Sequence, residues 1–428
     1  MEFLEHLKKY LSDQEITSLS NALDGKARKA LLVNTNKIND SFILSFFPNL
    51  TKHPIVPHCY LYDEDEYQLG KHIFFEQGLY YLFEPCSSLV SYFLEPKEDD
   101  IVLDLCAAPG GKTSHLAILK NNQGIIVSNE ISKERSLVLS SNVERMGFRN
   151  VIVTNNEIDD FANFSNFFDK IVLDAPCSGS GMFRKESKMR DDWSYSKVQS
   201  LQNLQKELII KAYNLLKPGG TLVYSTCSFS YEEDEEVVKH LLDNSDAILS
   251  PYQDHKFYYH SQENIGIHLF PHLFPGEGHY ICKISKPASL SVINNKGKKE
   301  DKFKEIKKIC NVEGYVYNFS NIYYLLPHYF DFKKLKIVRG GLKLGAMEKH
   351  GFEIDHALSH YLTTYTNQID LNNEQIKEYI AGNSLNLKIN EGIVLITYLN
   401  NGVGFGKSVK GRINNKYPKG LRINQINL

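Results

Sequence analysis

The chain has one tryptophan, and its seven cysteines include no CxxC pair. An odd count without paired spacing argues against a disulfide framework and a structural zinc site. It makes a reducing cytoplasm the default. Long apolar runs are also missing. The longest uncharged stretch, Gly314 to Phe330, carries Asn, Ser, His and Pro and is a poor membrane span. The N-terminal MEFLEHLKKYLSDQE alternates charged and apolar residues at helical spacing. No basic segment leads into an apolar one there, so no secretory signal is expected. What is present is a globular composition: 428 residues, 42% hydrophobic and 23% charged. That suffices for roughly two to four domains with sizeable cores.

A net charge of −2 hides an asymmetry. Residues 286–428 hold 22 Lys+Arg against 12 Asp+Glu, and the remainder holds 27 against 39. A basic module attached to an acidic one suits a phosphate-bearing partner, although a solvated linker accounts for part of the excess. Three blocks and a linker are expected, with no internal repeats. The first, residues 1–96, is a mixed α+β region. The second, 97–285, alternates strands (Ile101–Leu105, Gly124–Asn129, Asn150–Thr154, Lys170–Asp174, Thr221–Thr226) with helices (Thr113–Lys120, Lys133–Met146, Lys197–Leu216). Such alternation predicts an α/β domain with a doubly wound parallel sheet. Pro218-Gly219-Gly220 reads as a turn feeding the fifth strand, and His279–Ile284 as a late strand. A polar linker over 286–308 precedes the third block, 309–428.

The first strand of the second block runs into Cys106-Ala107-Ala108-Pro109-Gly110-Gly111-Lys112. Glycines at such a turn let a ligand approach the backbone, and the N–H groups of the following helix start face it. The spacing is neither a P-loop nor GxGxxG. Glu130 ends the second strand, where a carboxylate can accept both ribose hydroxyls, so a nucleoside cofactor is expected. Asp174 and Cys177 follow the fourth strand and Cys227 the fifth. Neighbouring strands would open both thiols onto the carboxyl edge, where ligands bind in this architecture. A thiolate there can add to an electron-poor carbon. Two thiols without a His pair do not make a metal site, and no metal is expected. Lys112 reads either as a solvated helix residue or as one that places a ligand. Arg184 and Lys185 suit phosphate contact or a solvated loop. The run Glu232 to Glu236 reads as a helix start, with Ser230 and Glu233 at capping-box spacing.

DLCAAPGGKT, DAPCSGSG and STCS, in this order, resemble the Nop/Sun family of RNA cytosine-5 methyltransferases. The flanking segments LLVNTNKI, GKHIFFEQGLYYLFEP, FPGEGHYICKI, RGGLKLGAM and GFGKSVKGRINNKYPKGLR resemble its bacterial RsmF-type branch. The resemblance implies a Rossmann-like methyltransferase domain, an N-terminal RNA-recognition region and a C-terminal PUA-like small β-barrel. It implies S-adenosyl-L-methionine as cofactor and small-subunit ribosomal RNA, free or in the 30S particle, as partner, with 5-methylcytosine as product. In its terms Cys227 is the nucleophile at cytosine C6 and Cys177 helps release the product. Asp174 holds the base edge at N3 or N4. Cofactor contacts fall on Cys106 through Lys112, Glu130, Asp174 and Glu157, the last where the family usually has Asp. Leu32 stands where the family tends to have Arg. The likeness of the terminal run to a PUA-like module points Lys407, Lys410, Arg412, Lys416, Lys419 and Arg422 at RNA. A cytoplasmic monomer acting on a large RNA particle is the expectation. A tRNA substrate and a non-catalytic assembly factor are the alternatives; intact Cys227, Cys177, Asp174 and Lys112 argue against the second.

Overall fold

The structure is a computed structural model that describes residues 2–261, 263–288 and 303–428. Most of the expected linker lies outside the described residues. A short helix, Lys304–Cys310, begins within its last part.

The N-terminal region opens with two helices, Glu2–Leu7 and Asp13–Leu23. The second starts sharply because Ser12 and Glu15 form a reciprocal capping box. A four-stranded sheet follows, built from β1 (Lys29–Val33), β2 (Thr51–Lys52), β3 (Cys59–Tyr62) and β4 (Tyr80–Phe83) in the order β2-β3-β1-β4. Leu32 sits in β1 and is buried, so this position has no room for a phosphate-binding arginine.

The central sheet carries five parallel strands: β5 (Ile101–Asp104), β6 (Ile125–Asn129), β7 (Val151–Thr154), β8 (Phe168–Asp174) and β9 (Leu216–Thr226). Their order is β9-β8-β5-β6-β7. Continuous apolar runs form these strands because helices cover both faces. One core layer packs Leu89, Val90, Leu116 and Leu139 against Val102, Ile126 and Val172. The other packs Phe161, Phe164, Ile209 and Tyr213 against Leu103, Val127 and Leu222. The chain winds from β5 out to β7 and then crosses to β8. The switch point lies between β5 and β8, and it locates the ligand crevice at their carboxyl ends.

Antiparallel strands extend the parallel sheet on both sides. Tyr280–Ser285 pairs with β9, and Ile337–Gly340, from beyond the linker, pairs with β7. The segment Pro218-Gly219-Gly220 is not a turn ahead of the fifth strand. It lies inside β9, where Phe168 faces Leu216 and Lys170 faces Thr221. The extra residues are absorbed by an irregularity in the ladder, with Gly219 at φ +80°. Partner-strand pairing overrode the local turn chemistry.

The C-terminal region holds two further sheets of four strands, and its last strands form the pair Asn401–Val409 and Arg412–Asn415. It shares a core with the N-terminal sheet, where Leu31, Val33 and Tyr80 pack with Tyr379, Ile396 and Tyr417. Among the described residues no helix is long and apolar enough to cross a membrane.

Candidate active site

The glycine turn leaves β5 and enters the helix Gly111–Leu119. Gly110 is its N-cap at φ +113°, and no side chain caps the helix start. Arg135 donates to Ala108 O at 2.8 Å and Asn142 to Pro109 O at 2.9 Å, so the loop is held by its carbonyls. An uncapped helix start offers free backbone N–H donors to polar ligand groups. Cys106 lines the same turn, and burial pushes its thiol up. Ala107 N donates to Asn129 O at 2.8 Å, tying the turn to β6. Asp104, fully buried, accepts from Thr113 Oγ1 at 2.6 Å. Burial pushes it up to about 6, against the pull of Thr113 and Lys112.

Glu130 follows β6 and is 2% exposed. Ser132 N donates to its Oε1 at 3.0 Å, and Arg135 pairs with Oε2 at 3.3 Å. The carboxylate is thus fixed beside the turn. Glu157 is exposed and caps the short helix Ile158–Phe164 through a capping box with Asp160. Glu157 therefore serves a local cap.

Asp174 ends β8 opposite Ser225 of β9. Lys112 Nζ donates to its Oδ2 at 2.7 Å. Ser225 Oγ donates to Oδ1 at 2.7 Å, and His279 Nε2 lies 3.2 Å from the same oxygen. Burial alone would raise Asp174. The Lys112 ammonium, then the His279 hydrogen bond, overcome it and hold the carboxyl well below its usual range. Lys112 is therefore not a solvated helix residue but the counter-ion of Asp174.

Cys177 and Cys227 come together, with Sγ atoms 3.2 Å apart. The hydrogen bond to Cys227 raises Cys177 most, followed by burial and the charges of Cys227, Glu233 and Asp174. These surroundings favour the protonated form of the Cys177 thiol.

The acidic run behaves differently from its reading as a capped helix start. The helix is Glu235–Asp243, with Asp234 as N-cap and no side-chain cap bond. Glu233 instead accepts from Ser178 N at 2.8 Å and from Ser228 Oγ at 2.6 Å. Asp234 accepts from Thr226 Oγ1 at 2.5 Å. Burial, then neighbouring Glu235, pushes Asp234 well above the carboxylate range. His268 Nε2 lies 2.9 Å from Glu235 Oε1.

Arg184 is a correction. Its guanidinium pairs with Glu277 at 2.9 Å and donates to Gly276 O. With its side chain 5% exposed, it ties the Cys177 loop to the segment before His279 and is not free for phosphate. Lys185 is exposed and lines a cleft of about 480 Å³ with Arg28 and Lys71. Lys407, Lys410, Arg412, Lys416, Lys419 and Arg422 are all exposed. Lys407 and Arg412 lie on one face of the last hairpin, and Lys410 sits at its tip. Lys416 pairs with Glu353 at 2.6 Å.

Residues 91–285 match the family described as 16S rRNA methyltransferase RsmB/F. Residues 1–85 match the N-terminal domain of 16S rRNA methyltransferase RsmF, and residues 366–423 match the methyltransferase RsmF PUA domain. Ribosomal RNA small subunit methyltransferase F of Vibrio cholerae is 31% identical over 457 residues, covering 98% of this chain and 96% of that relative. The chain belongs to the RsmF-type 16S rRNA methyltransferase family. Its Shewanella oneidensis counterpart is 32% identical over 431 residues, covering 92% of this chain and 90% of that relative. Among solved structures, a methyltransferase homologue from Pyrococcus horikoshii is 31% identical, with a TM-score of 0.59 over 66% of this chain and 93% of that one. NSun6 from the same organism, solved with SFG, shares the fold at 23% identity and a TM-score of 0.62, over 67% of this chain and 98% of that one. The central domain of this family member is a Rossmann-like methyltransferase fold, and its C-terminal region carries the PUA-like module. Among the described residues, strand pairing closes neither small C-terminal sheet into a barrel.

Sequence reasoning missed the roles of His279 and Ser225 and gave Glu233 to a helix cap. His279 was in view within FPGEGHYICKI, but only the pairing of Tyr280–Ser285 with β9 brings it to Asp174.

Proposed function

We propose that the chain transfers a methyl group from S-adenosylmethionine to C5 of a cytosine in small-subunit rRNA, through a covalent bond from Cys227 to C6. The observation that carries this reading is the pair of thiols 3.2 Å apart at the strand ends that also bear Asp174.

Cytosine C5 is a poor nucleophile. Addition of the Cys227 thiolate to C6 breaks the C5–C6 double bond and puts its electron pair on C5. S-adenosylmethionine, when bound, supplies the electrophilic sulfonium methyl. The turn Cys106 to Lys112 and the fixed carboxylate of Glu130 fit a nucleoside of this kind, because the helix start is uncapped and the carboxylate is held beside it. Glu157, serving as a cap, is the weakest of the proposed contacts. Asp174, kept ionised by Lys112 and His279, would accept a hydrogen bond from N4–H or from a protonated N3 and so favour the protonated, electron-poor ring that the thiolate attacks. After methyl transfer the C5–H electrons re-form the double bond, the proton passes to solvent and Cys227 leaves as a thiolate. The Cys177 thiol, already hydrogen-bonded to that sulfur, would donate to it and ease its departure. The target base must leave its stack to reach this crevice. Lys185 and the C-terminal cations Lys407, Lys410, Arg412, Lys416, Lys419 and Arg422 would hold the RNA backbone.

Bisulfite sequencing of rRNA and tRNA, with and without the gene, tests the substrate. Loss of 5-methylcytosine at one or a few small-subunit rRNA positions is expected. Unchanged rRNA alongside a lost tRNA site would overturn the substrate while leaving the chemistry.

A further inference from the structure

A buried carboxylate that the proposed chemistry does not use lies between the two cysteine loops. Glu233 is fully buried. Its Oε1 accepts from Ser178 N at 2.8 Å and from Gln205 Nε2 at 3.0 Å. Its Oε2 accepts from Ser228 Oγ at 2.6 Å and, in a short bond, from Ser178 Oγ. Ser178 directly follows Cys177, and Ser228 directly follows Cys227. Gln205 Nε2 also donates to the carbonyl of Pro176, the residue before Cys177, at 2.8 Å. One carboxylate thus grips the residue beside each sulfur, and its own partner braces the other side of Cys177.

A carboxylate suits this place for a stated reason. It offers two oxygens and about four acceptor sites in one plane, and all four are used here. Ser178 Oγ and Ser228 Oγ also lie 3.2 Å apart, and Glu233 Oε2 accepts from both hydroxyls; the remaining links, Gly181 N to Cys227 O at 2.7 Å and Phe229 N to Ser180 Oγ at 2.8 Å, reach the Cys177 side farther along the chain.

We propose that Glu233 is the positioning residue that keeps the Cys177 and Cys227 thiols within donor–acceptor distance, and so governs release of the methylated base rather than RNA binding. The functional half of this proposal rests on the two-cysteine reading above. Shortening the side chain by one methylene would leave it unable to span both loops. An amide of equal length keeps one oxygen for the Ser178 N–H and the Gln205 amide. Its NH2 then faces the two hydroxyls, which can turn to accept.

The test uses the full-length chain with Glu233→Asp and Glu233→Gln. Its first readout needs no RNA. Diamide oxidises the two thiols to a disulfide while its N=N bond takes up the two electrons and two protons, and peptide mass mapping follows the bridge. Because a displacement of about 1 Å can cost about a hundredfold in a geometry-dependent step, the Asp variant should close the bridge at least about tenfold more slowly and the Gln variant within about threefold of wild type. The second readout is turnover. In the Asp variant kcat should fall by about tenfold to a hundredfold while KM for RNA stays within about twofold, and a denaturant-stable RNA adduct should accumulate. Wild-type bridging in the Asp variant overturns the proposal. So does a loss of bridging in both variants that merely tracks the folded fraction in a thermal melt. Slowed bridging supports positioning even if Cys177→Ala traps no adduct; that pair of results would sink the covalent reading instead.

Discussion

At the scale of single residues, the site is a set of carboxylates given different jobs by their surroundings. Asp174 is held ionised by Lys112 and His279. Asp104, one strand away, is pushed up to about 6 by burial. The folded state holds the Asp104 proton more tightly than the unfolded chain, whose pKa is about 3.9. Stability is therefore lost as pH rises from about 4 through about 6, and the loss is complete above that window. It amounts to about 3 kcal/mol at most, at about 1.36 kcal/mol per pKa unit. Asp104→Asn cannot ionise and escapes this loss. Its melting temperature relative to wild type should climb between pH 4.5 and pH 7, read by thermal melts across that range. A flat difference would show that Asp104 does not carry a raised pKa.

Local spacing made the two thiols, Asp174 and the glycine turn legible, because each follows an apolar run that must be a strand. Local spacing also misassigned Glu233. Four residues of a capping box can be found by eye, but whether a carboxylate turns onto its own helix or onto Ser178 is settled by a loop 55 residues away. Arg184 failed for the same reason. Its partner Glu277 lies 93 residues on, and nothing near Arg184 marks it as inward-facing.

At the scale of elements, β8 and β9 bring Asp174, Cys177 and Cys227 together, and the strand Tyr280–Ser285 sets His279 beside Asp174. Gly278 precedes His279 at φ +120°, and a Cβ there would lie 2.2 Å from Phe229 Cζ. Both the conformation and the space call for glycine. Gly278→Ala should destabilise the protein by about 1–3 kcal/mol, as overpacking does, and should also displace His279 from Asp174. Urea denaturation and activity should fall together; an unchanged midpoint would mean the loop repacks freely. The five parallel strands were readable from sequence because buried strands need apolar runs. The ladder irregularity at Pro218–Gly220 was not, since register depends on the partner strand.

At the scale of the whole molecule, the chain closes on itself. The strand Ile337–Gly340 covers the β7 edge, and Arg339 reaches back to Ser140 at 3.0 Å and to Glu144. Phe330 and Leu335 enter the central core. Near the other end, Asn427 exchanges backbone hydrogen bonds with Lys71 and Ile73. The basic C-terminal region is therefore part of the scaffold as well as a proposed RNA surface. A chain ending at Ala288 should expose the β7 edge and an apolar patch, and should aggregate. Size-exclusion chromatography would show it in the void volume, whereas a monodisperse peak would show that the central domain stands alone. Such long-range closure is invisible to periodicity, which reports only which face of an element is apolar.

In the proposed reaction Cys227 bonds the target base and Cys177 lets it go. The most direct measurement incubates the Cys177→Ala protein with S-adenosylmethionine and small-subunit rRNA, followed by denaturing electrophoresis and peptide mass spectrometry. RNA should stay bound through denaturation, attached at Cys227, and no such species should form once Cys227→Ser is added. No adduct with Cys177→Ala, or an adduct at any other residue, would contradict it.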